Sequence, residues 1–188
     1  MLHSSESNAR VEELLVRVAD GDQDAFTGIY DALSGAVMGL AHRIVRDAAQ
    51  AEEVTQDVMI EVWRTAGRYD PERGTAKGWI LTLAHRRAVD RVRSARASTE
   101  REQRTGVLGP ERDFDEVSER VQDDDERRRL RRCLAKLERH RRVPLMLAFY
   151  QGLTYIEVAA ALSVPEGTAK SRMRAGLRDL RACLEGDA

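Results

Sequence analysis

A set of cations near the end of the chain occupies positions suited to binding DNA. The spacing of apolar residues predicts two helices over residues 153–184, separated by a short turn at 162–164. Pro165 suits the first position of the second helix. On that helix, cations lie opposite the apolar stripe and can pair with phosphates and guanine edges. These cations are Lys170, Arg172, Arg174, Arg178 and Arg181. The pattern predicts a DNA-reading helix-turn-helix, with a merely solvated basic face as the alternative.

Charge is sorted along the chain, although the whole chain carries a net charge of only −1. Residues 1–66 carry −7, residues 67–96 carry +5, residues 97–126 carry −7 and residues 127–188 carry +8. Uniformly solvated surfaces rarely sort charge in this way. Two basic blocks separated by acidic ones therefore predict two nucleic-acid contacts and at least one protein contact.

Length and composition favour small helical modules. A chain of 188 residues accommodates one or two small domains, and 5% aromatic with 34% charged residues does not suit a large enzyme core. The sequence has no signal peptide and no apolar run long enough to span a membrane, so we expect a cytoplasmic protein without direct membrane insertion. Two cysteines without CxxC spacing and four unclustered histidines argue against a metal site, and no cofactor is expected.

Helical periodicity dominates the chain and predicts an all-α protein of two small helical domains. Residues 69–78 form a turn-rich loop within the first domain. Residues 97–123 lose the apolar periodicity and carry many acids, so they are predicted to form an acidic linker. The expected organisation is a flexible tail at 1–10, a first domain at 11–96, the linker at 97–123, and a second domain at 124–188.

Both cysteines lie in the second predicted domain, each on an apolar stripe. Cys133 lies on the stripe of that domain's first helix, and Cys183 continues the stripe that includes Leu177 and Leu180. Both sulfurs should therefore point into one helical core. If these helices pack together, the Cα atoms can fall within the roughly 4.4–6.8 Å that a disulfide requires. The sequence is compatible with this disulfide and also with two buried free thiols, the usual cytosolic state.

Two consecutive helices of the first domain carry opposite charges. Residues 47–70 place acids and an amide on an exposed polar face, and residues 74–96 form an arginine-rich helix with a tryptophan near its start. An acidic helix followed by a basic, aromatic-led helix resembles region 2 of bacterial sigma factors, and the downstream helix-turn-helix resembles their region 4. With no region 1 and no recognisable region 3, the chain resembles extracytoplasmic-function (group IV) sigma factors. It is most similar to the actinobacterial sigma factor K subgroup.

The resemblance implies a transcription initiation factor, not an enzyme, that binds core RNA polymerase and recognises the −10 and −35 promoter elements. The stretch from Ala51 to Arg64 corresponds to the surface that docks on the β′ clamp helices. Its implied contact residues are Glu53, Gln56, Asp57, Glu61 and Trp63. For Trp63, packing in the core is an equally weighted alternative.

The resemblance also implies that the loop at 68–77 and the helix after it open the −10 element. Unstacking a base costs roughly a few kcal/mol, which a pocket and phosphate contacts must offset. The implied −10 residues are Arg68, Lys77, Trp79, Arg86, Arg87, Asp90, Arg91 and Arg93. Asp90 replaces an asparagine of many relatives and is expected to orient Arg86 or Arg87, or to read an exocyclic amine. Trp79 either packs in the core or stacks on a base.

The second helix of the helix-turn-helix corresponds to the −35 reader of the family. The implied −35 residues are Glu166, Gly167, Thr168, Lys170, Ser171, Arg172, Arg174 and Arg178. Arg178 lies farther along the helix and is expected to meet phosphate. Residues 127–142 hold nine basic residues and one acid, and these cations are expected to divide between the −35 backbone and the β flap of the polymerase.

Control by another protein is a further implication of the resemblance. It implies a membrane-anchored anti-sigma factor that keeps the protein inactive and competes with core polymerase. The acidic linker is either a solvated tether or a nucleic-acid mimic in the RNA-exit path of the polymerase. A disulfide between Cys133 and Cys183 would add redox control over the release of that partner.

Two other classes of protein share some of these features. A LuxR-type response regulator also carries a helix-turn-helix, but it needs a receiver domain with strands, and the sequence has no strand pattern or phosphoacceptor pocket. An enzyme acting on nucleic acid needs a cluster of catalytic carboxylates or a metal. The carboxylates here lie on the acidic helix or in the linker, so both classes are disfavoured.

Overall fold

The computed structural model describes residues 2–104 and 125–186, and the side chains of residues 9–97 and 128–186. The chain divides into two compact units, Met1–Arg101 and Glu102–Ala188. Every regular element in the described residues is helical, so the predicted all-α class is confirmed. The α-helices are α1 (Leu2–Ala19), α2 (Gln23–Val45), α3 (Ala48–Thr65), α4 (Ala76–Arg104), α5 (Asp125–Lys136), α6 (Arg139–Gln151), α7 (Tyr155–Ala161) and α8 (Glu166–Gly186). Short 3-10 helices at Ala66–Arg68 and Pro71–Arg73 occupy the loop between α3 and α4.

The core of the first unit forms where the apolar stripes of α1 to α4 meet. Each stripe repeats every three or four residues, so each helix buries one side and exposes the other. Burial of each large apolar side chain contributes about 1.5–3 kcal/mol to folding. The largest fully buried side chains of this unit are Leu15, Ile29, Val37, Val58, Val62 and Ile80.

Aspartates are the N-cap residues of two of these helices. The Asp22 carboxylate accepts a hydrogen bond from the Ala25 N–H at 3.0 Å at the start of α2. The Asp47 carboxylate does the same for the Gln50 N–H at 2.8 Å at the start of α3. Each aspartate satisfies an N–H group that the first helical turn leaves without a partner. These caps fix where α2 and α3 begin, and therefore which side chains α3 presents.

The helices of the first unit extend past the boundaries predicted from the sequence. α1 begins at Leu2, so residues 2–10, predicted as a flexible tail, are helical. α4 runs to Arg104 and covers residues 97–104 of the predicted linker. Adding residues to an existing helix needs no new nucleation, which lets both helices continue beyond their buried stripes. Residues 105–123 of the predicted linker lie outside the described residues.

α7 and α8 form the predicted helix-turn-helix. Thr154 and Glu157 make a capping box at the start of α7, in which the Glu157 carboxylate accepts from the Thr154 N–H at 2.6 Å. After α7 the chain turns at Ser163, whose backbone is left-handed with φ of 51°. This conformation lets the Val164 N–H donate to the Ala159 carbonyl at 3.0 Å, which closes the end of α7. The turn lies where the sequence placed it.

A small core joins α7 to α8. Val158, Ala159 and Ala169 are its buried residues. The apolar side chains that surround them and are partly buried are Leu147, Ala148, Leu153, Leu162, Val164 and Met173. Since this core is small, the angle between the two helices depends on few side chains.

α8 crosses α6 at close range. A Cβ at Gly176 would lie 2.8 Å from Leu145 Cδ1 and 3.2 Å from the Arg141 carbonyl oxygen, so only glycine fits this crossing without movement. Leu177, predicted on the buried stripe with Leu180, is 57% exposed. The side of α8 that contacts α6 is centred on Gly176, and this turns the next residue toward solvent.

A disulfide joins the first and last helices of the second unit. Cys133 on α5 and Cys183 on α8 are bonded, with Cα atoms 5.8 Å apart and a sequence separation of 50. Cys133 is fully buried. Arg129 adds a second link between the two helices by donating to the Leu184 carbonyl. Of the two alternatives left by the sequence, the structure contains the disulfide.

Candidate nucleic-acid and partner interfaces

Three carboxylates on α3 form a row that we call the acidic row. Glu53, Asp57 and Glu61 are four residues apart and therefore share one side of the helix. The Glu61 side chain is only 14% exposed, whereas that of Glu53 is 60% exposed. Gln56 and Asp57 are exposed. Of the residues predicted to dock on polymerase, Glu61 is thus the least accessible.

Arginines of α4 pair with the acidic row. Arg86 and Arg87 both contact Glu61, with Arg87 Nε donating to Glu61 Oε2 at 2.6 Å. Farther along α4, Arg91 pairs with Glu53. The hydrogen bond from Arg87 to Glu61 and the charge of that carboxylate raise the pKa of Arg87 above its usual value. Two sets of residues that were predicted to face different partners therefore lie against each other.

Asp90 is exposed on α4, close to the arginines it was predicted to orient. The carboxylate that Arg86 and Arg87 contact directly is Glu61. Asp90 acts on Arg87 only through its charge, and it is the smallest of the contributions that raise the pKa of that arginine. Glu61 is thus the carboxylate in direct contact with these two arginines, and both roles expected for Asp90, orienting an arginine and reading a base, stay predictions.

Trp63 packs against a neighbouring helix and is also partly exposed at the surface. Its ring meets Phe26 of α2 edge to face, with ring centroids 5.4 Å apart, yet the residue is 36% exposed. Ile60, one turn earlier on α3, is 51% exposed, and Tyr30, one turn after Phe26 on α2, is 46% exposed. The spacing of apolar residues on α2 predicts that Tyr30 is buried with Phe26 and Ile29, and for Tyr30 this prediction is wrong. Ile60 was not predicted to belong to any interface. An isoleucine on the polar face of α3 was the signal available in the sequence.

The loop between α3 and α4 is held by aromatic and hydroxyl groups. Trp79 is half-buried and packs against Tyr69 with ring centroids 5.9 Å apart, which favours its core role over stacking on a base. The Tyr69 hydroxyl donates to the Gly74 carbonyl at 3.0 Å. Thr75 caps α4 by accepting from the Gly78 N–H at 3.1 Å. The loop is therefore tied to the start of α4.

The remaining residues predicted to contact the −10 element lie on or beside this loop and on α4. Arg68 is exposed at the end of the first 3-10 helix, and Lys77 lies half-buried in the first turn of α4. Arg93 is exposed on α4, seven residues after Arg86 and thus on a similar side of the helix. The predicted −10 residues are therefore distributed along α4 and the loop that precedes it.

α8 presents the residues predicted to read the −35 element, all but Arg178 in its first half. Thr168 and Arg172 are half-buried, while the others of this set are exposed. The exposed ones are Glu166, Gly167, Lys170, Ser171, Arg174 and Arg178. The Lys170 ammonium lies 5.4 Å from the centre of the Tyr155 ring on α7, a cation–π contact that restricts the lysine. The Ser171 hydroxyl donates to the Thr168 carbonyl at 2.9 Å.

Arg141, like Arg129, is an arginine of the basic block at 127–142 that makes a contact inside the second unit. Arg141 on α6 pairs with Asp179 on α8, and the two side chains are 34% and 32% exposed. Asp179 Oδ1 also lies 3.8 Å from Arg178 Nε, whose side chain is 77% exposed. Arg141 therefore helps to hold α6 on α8, and it supports the position of the helix that carries the predicted −35 residues.

A membrane-spanning helix and a metal-binding cluster are both absent from the described parts of the chain, residues 2–104 and 125–186. Within them, no helix combines the length and apolar character needed to cross a membrane. The same residues contain no group of three or more His, Cys, Asp or Glu side chains placed to hold a metal ion.

Two protein families match this chain, in the order predicted from the motifs. Residues 29–98 match Sigma-70 region 2, which covers α3 and most of α2 and α4. Residues 127–180 match Sigma-70, region 4, which covers α6, α7 and most of α5 and α8. The acidic row and its arginines thus fall in the first match, and the helix-turn-helix falls in the second.

Named relatives are similar over nearly the whole chain. The chain is 49% identical to the ECF RNA polymerase sigma factor SigK of Mycolicibacterium vanbaalenii, over 94% of this chain and 90% of the relative. It is 46% identical to the SigK of Mycobacterium tuberculosis (strain ATCC 25177 / H37Ra), over 93% of this chain and 94% of the relative.

Solved structures of sigma factors are also similar to the chain. Rhodobacter sphaeroides SigE in complex with the anti-sigma ChrR is 30% identical, with a TM-score of 0.46, over 93% of this chain and 98% of that chain. CnrH in complex with the cytosolic domain of CnrY is 21% identical, with a TM-score of 0.42, over 95% of this chain and 99% of that chain. Because sequence identity near one half extends over about nine-tenths of both this chain and its relatives, this chain belongs to the ECF family of RNA polymerase sigma factors.

Proposed function

We propose that this sigma factor docks on core RNA polymerase through α3, opens the −10 element with the surface around α4, and reads the −35 element with α8. As a member of its family it is a transcription initiation factor and not an enzyme. The observation that carries the proposal is the presence of both sigma regions, in order, along a chain nearly half identical to named sigma factors.

The proposed polymerase contact is the exposed side of α3. Glu53, Gln56 and Asp57 are exposed there and can pair with basic residues of the β′ clamp helices. The exposed apolar residues Ile60 and Trp63 continue the same helix and would add buried area. The basic residues of α5 and α6 that remain exposed, such as Arg131 and Arg132, are proposed to contact the β flap or the −35 backbone.

The proposed −10 contact is built from α4 and the loop before it. Arg86, Arg87 and Arg91 keep roughly half of their side-chain surface exposed, at 56%, 46% and 40%, even though each pairs with a carboxylate. Their remaining N–H groups can bind phosphates of the non-template strand. Arg68, Lys77 and Arg93 are proposed to extend this contact along the same surface.

Run-off transcription tests the proposal directly. Core RNA polymerase supplemented with this chain should produce specific transcripts from a genomic template library, whereas core polymerase alone should not. Mapping the start sites then supplies the −10 and −35 sequences that this protein recognises. Failure to bind core polymerase, or specific binding without any transcript, would contradict the proposed role.

Reading of the −35 element by α8 can be tested with alanine variants of Lys170, Arg172 and Arg174. Replacement of a residue that contacts a base should weaken promoter binding by about 1–3 kcal/mol. It should also relax the sequence preference at one position of the −35 element. Binding of holoenzyme to duplexes with single substitutions in the mapped −35 element measures both effects. Arg181→Ala is a suitable control, because Arg181 pairs with Glu185 toward the far end of α8. If none of the three variants changes binding, α8 is not the reader.

We also propose that the protein acts in the cytoplasm and is held inactive by a membrane-anchored anti-sigma factor. The support is the family resemblance together with the exposed apolar side chains on both units, among them Ile60 and Ile156, at 51% and 50% exposed. If the anti-sigma factor covers the side of α3 that faces polymerase, the two partners exclude each other.

Competition between the two partners is the expected result. The cytosolic part of a partner captured from membranes with the tagged chain should be displaced by increasing amounts of core polymerase, as measured by size-exclusion chromatography. Gln56→Ala combined with Asp57→Ala should weaken the displacement, because these exposed residues are proposed to contact the clamp helices. A ternary complex in which neither affinity falls would rule out this model.

Redox control is a further part of the proposal. The Cys133–Cys183 bond joins α5 to α8, so its reduction would loosen the second unit and favour release of a partner bound to that unit. Mass-shift thiol labelling of the purified protein, unfolded with and without reductant, reports whether the bond forms. Two freely alkylated cysteines under oxidising conditions would exclude such a switch.

A further inference from the structure

Glu61 has a different environment from the other carboxylates of α3. Its side chain is 14% exposed, whereas the arginines that contact it, Arg86 and Arg87, are 56% and 46% exposed. Each of its oxygens serves a different arginine, Oε1 for Arg86 and Oε2 for Arg87. The carboxylate therefore lies beneath two adjacent guanidinium groups, and these groups lie between it and solvent.

This arrangement leaves the two arginines capable of binding an anion. A guanidinium group has five N–H donors, and each arginine uses part of one edge on Glu61. The three side chains together keep a net positive charge. An arginine on a long flexible stem loses rotamer freedom when it binds a phosphate, and a fixed partner removes much of that freedom beforehand. The pair is therefore prepared for contact with a phosphate backbone.

We propose that Glu61 is a positioning residue of the promoter surface, which holds Arg86 and Arg87 side by side and directs them outward from α4. The proposal rests on the proposed function, because it requires these arginines to contact promoter DNA. It replaces the earlier expectation that Glu61 contacts polymerase, since a side chain covered by two arginines offers little surface to a partner.

The pair of Glu53 and Arg91 does not have the same character. Both side chains are substantially exposed, at 60% and 40%, so solvent and salt screen their interaction. Glu53 also serves a single arginine. Glu53 therefore remains available to a partner. Of the two carboxylates, only Glu61 is assigned the positioning role.

The sign of the effect separates positioning from simple electrostatics. Removal of a negative charge near a DNA-binding surface ordinarily strengthens binding, because the protein becomes more positive. Loss of a positioning carboxylate weakens binding, because Arg86 and Arg87 are released. Glu61→Gln should therefore weaken promoter binding. Glu13→Gln, the same chemical change at an exposed position on α1, should leave it unchanged or strengthen it slightly.

The experiment uses holoenzyme reconstituted from core polymerase and the full chain, with a promoter fragment mapped by run-off transcription. Glu61→Gln should reduce the affinity for the promoter and the yield of open complex by about threefold to tenfold. The affinity for core polymerase should not change. In a chain that also carries Arg86→Ala and Arg87→Ala, Glu61→Gln should have no further effect. Glu61→Asp keeps the charge but has a shorter side chain, so it should also weaken promoter binding. If Glu61→Gln does not fold, Glu61→Asp provides the test.

Three results would overturn the inference. Stronger promoter binding by Glu61→Gln than by Glu13→Gln would mean that Glu61 masks the arginines. Weaker binding to core polymerase with normal promoter opening would return Glu61 to the polymerase interface. An undiminished effect of Glu61→Gln in the arginine-deleted chain would mean that Glu61 acts through another residue. If Arg86→Ala and Arg87→Ala do not weaken promoter binding although run-off transcription succeeds, the proposed −10 contact itself fails.

Discussion

Reduction of the Cys133–Cys183 disulfide should lower the free energy of unfolding of the second unit by about 4 kcal/mol, as expected for a crosslink that closes a loop of this size. The bond spans 50 residues and ties α5 to α8. Small domains are commonly stabilised by only about 5–15 kcal/mol, so this loss would leave the second unit marginally stable. The part of its core that joins α7 to α8, around Val158, Ala159 and Ala169, is small.

The two units can be followed separately in one unfolding experiment. Both tryptophans, Trp63 and Trp79, lie in the first unit, so tryptophan fluorescence reports that unit alone. Far-ultraviolet circular dichroism reports the helices of both units. Reductant should shift the part of the urea transition that only circular dichroism detects, and it should leave the fluorescence transition in place.

A chain with Cys133→Ala and Cys183→Ala is the matched control. It cannot form the bond, so its urea transition should not respond to reductant. Equal stability of the oxidised and reduced wild-type chain would show that the bond adds nothing to the second unit, and the redox proposal would lose its physical basis.

Features that depend on one helix were predictable from the sequence. The stripes through Leu15, Ile29 and Val58 follow from the spacing of apolar residues, and the turn before Pro165 follows from the break between two such stripes. The disulfide was predictable as one of two alternatives, because Cys133 and Cys183 both continue apolar stripes. The stripes and the turn need only the period of a helix, whereas the disulfide also requires α5 to pack against α8, which is why the alternative of two free thiols stayed open.

Features that depend on how two helices are rotated against each other were not predictable in the same way. The sequence places Glu61 on the polar side of α3 and Arg86 on a basic helix, but it does not show that these sides meet. Leu177 has the spacing of a buried residue, yet the closest approach of α8 to α6 is centred on Gly176 and leaves Leu177 exposed. The start of α1 at Leu2 was not predictable either, because residues 2–10 carry no apolar stripe that would indicate a helix.

Substitution of Gly176 should have the other large effect on the second unit. Gly176→Val should lower its free energy of unfolding by about 3 kcal/mol, at the upper end of the usual cost of overpacking. The added Cβ would lie 2.8 Å from Leu145 Cδ1, which can move, but also 3.2 Å from the Arg141 carbonyl oxygen, which belongs to the backbone of α6. Relief of that contact requires α6 and α8 to separate, and separation would weaken the ion pair of Arg141 with Asp179.

Gly167→Val is the matched control on the same helix. Nothing lies within 4 Å of a Cβ at Gly167, so this change should be close to neutral or slightly stabilising, because valine favours a helix over glycine by about a few tenths of a kcal/mol. The transition detected only by circular dichroism should therefore move to lower urea for Gly176→Val and stay in place for Gly167→Val. Similar stability of the two variants would mean that α6 and α8 can separate at little cost, and the position of the helix that carries Lys170 and Arg174 would not depend on this crossing.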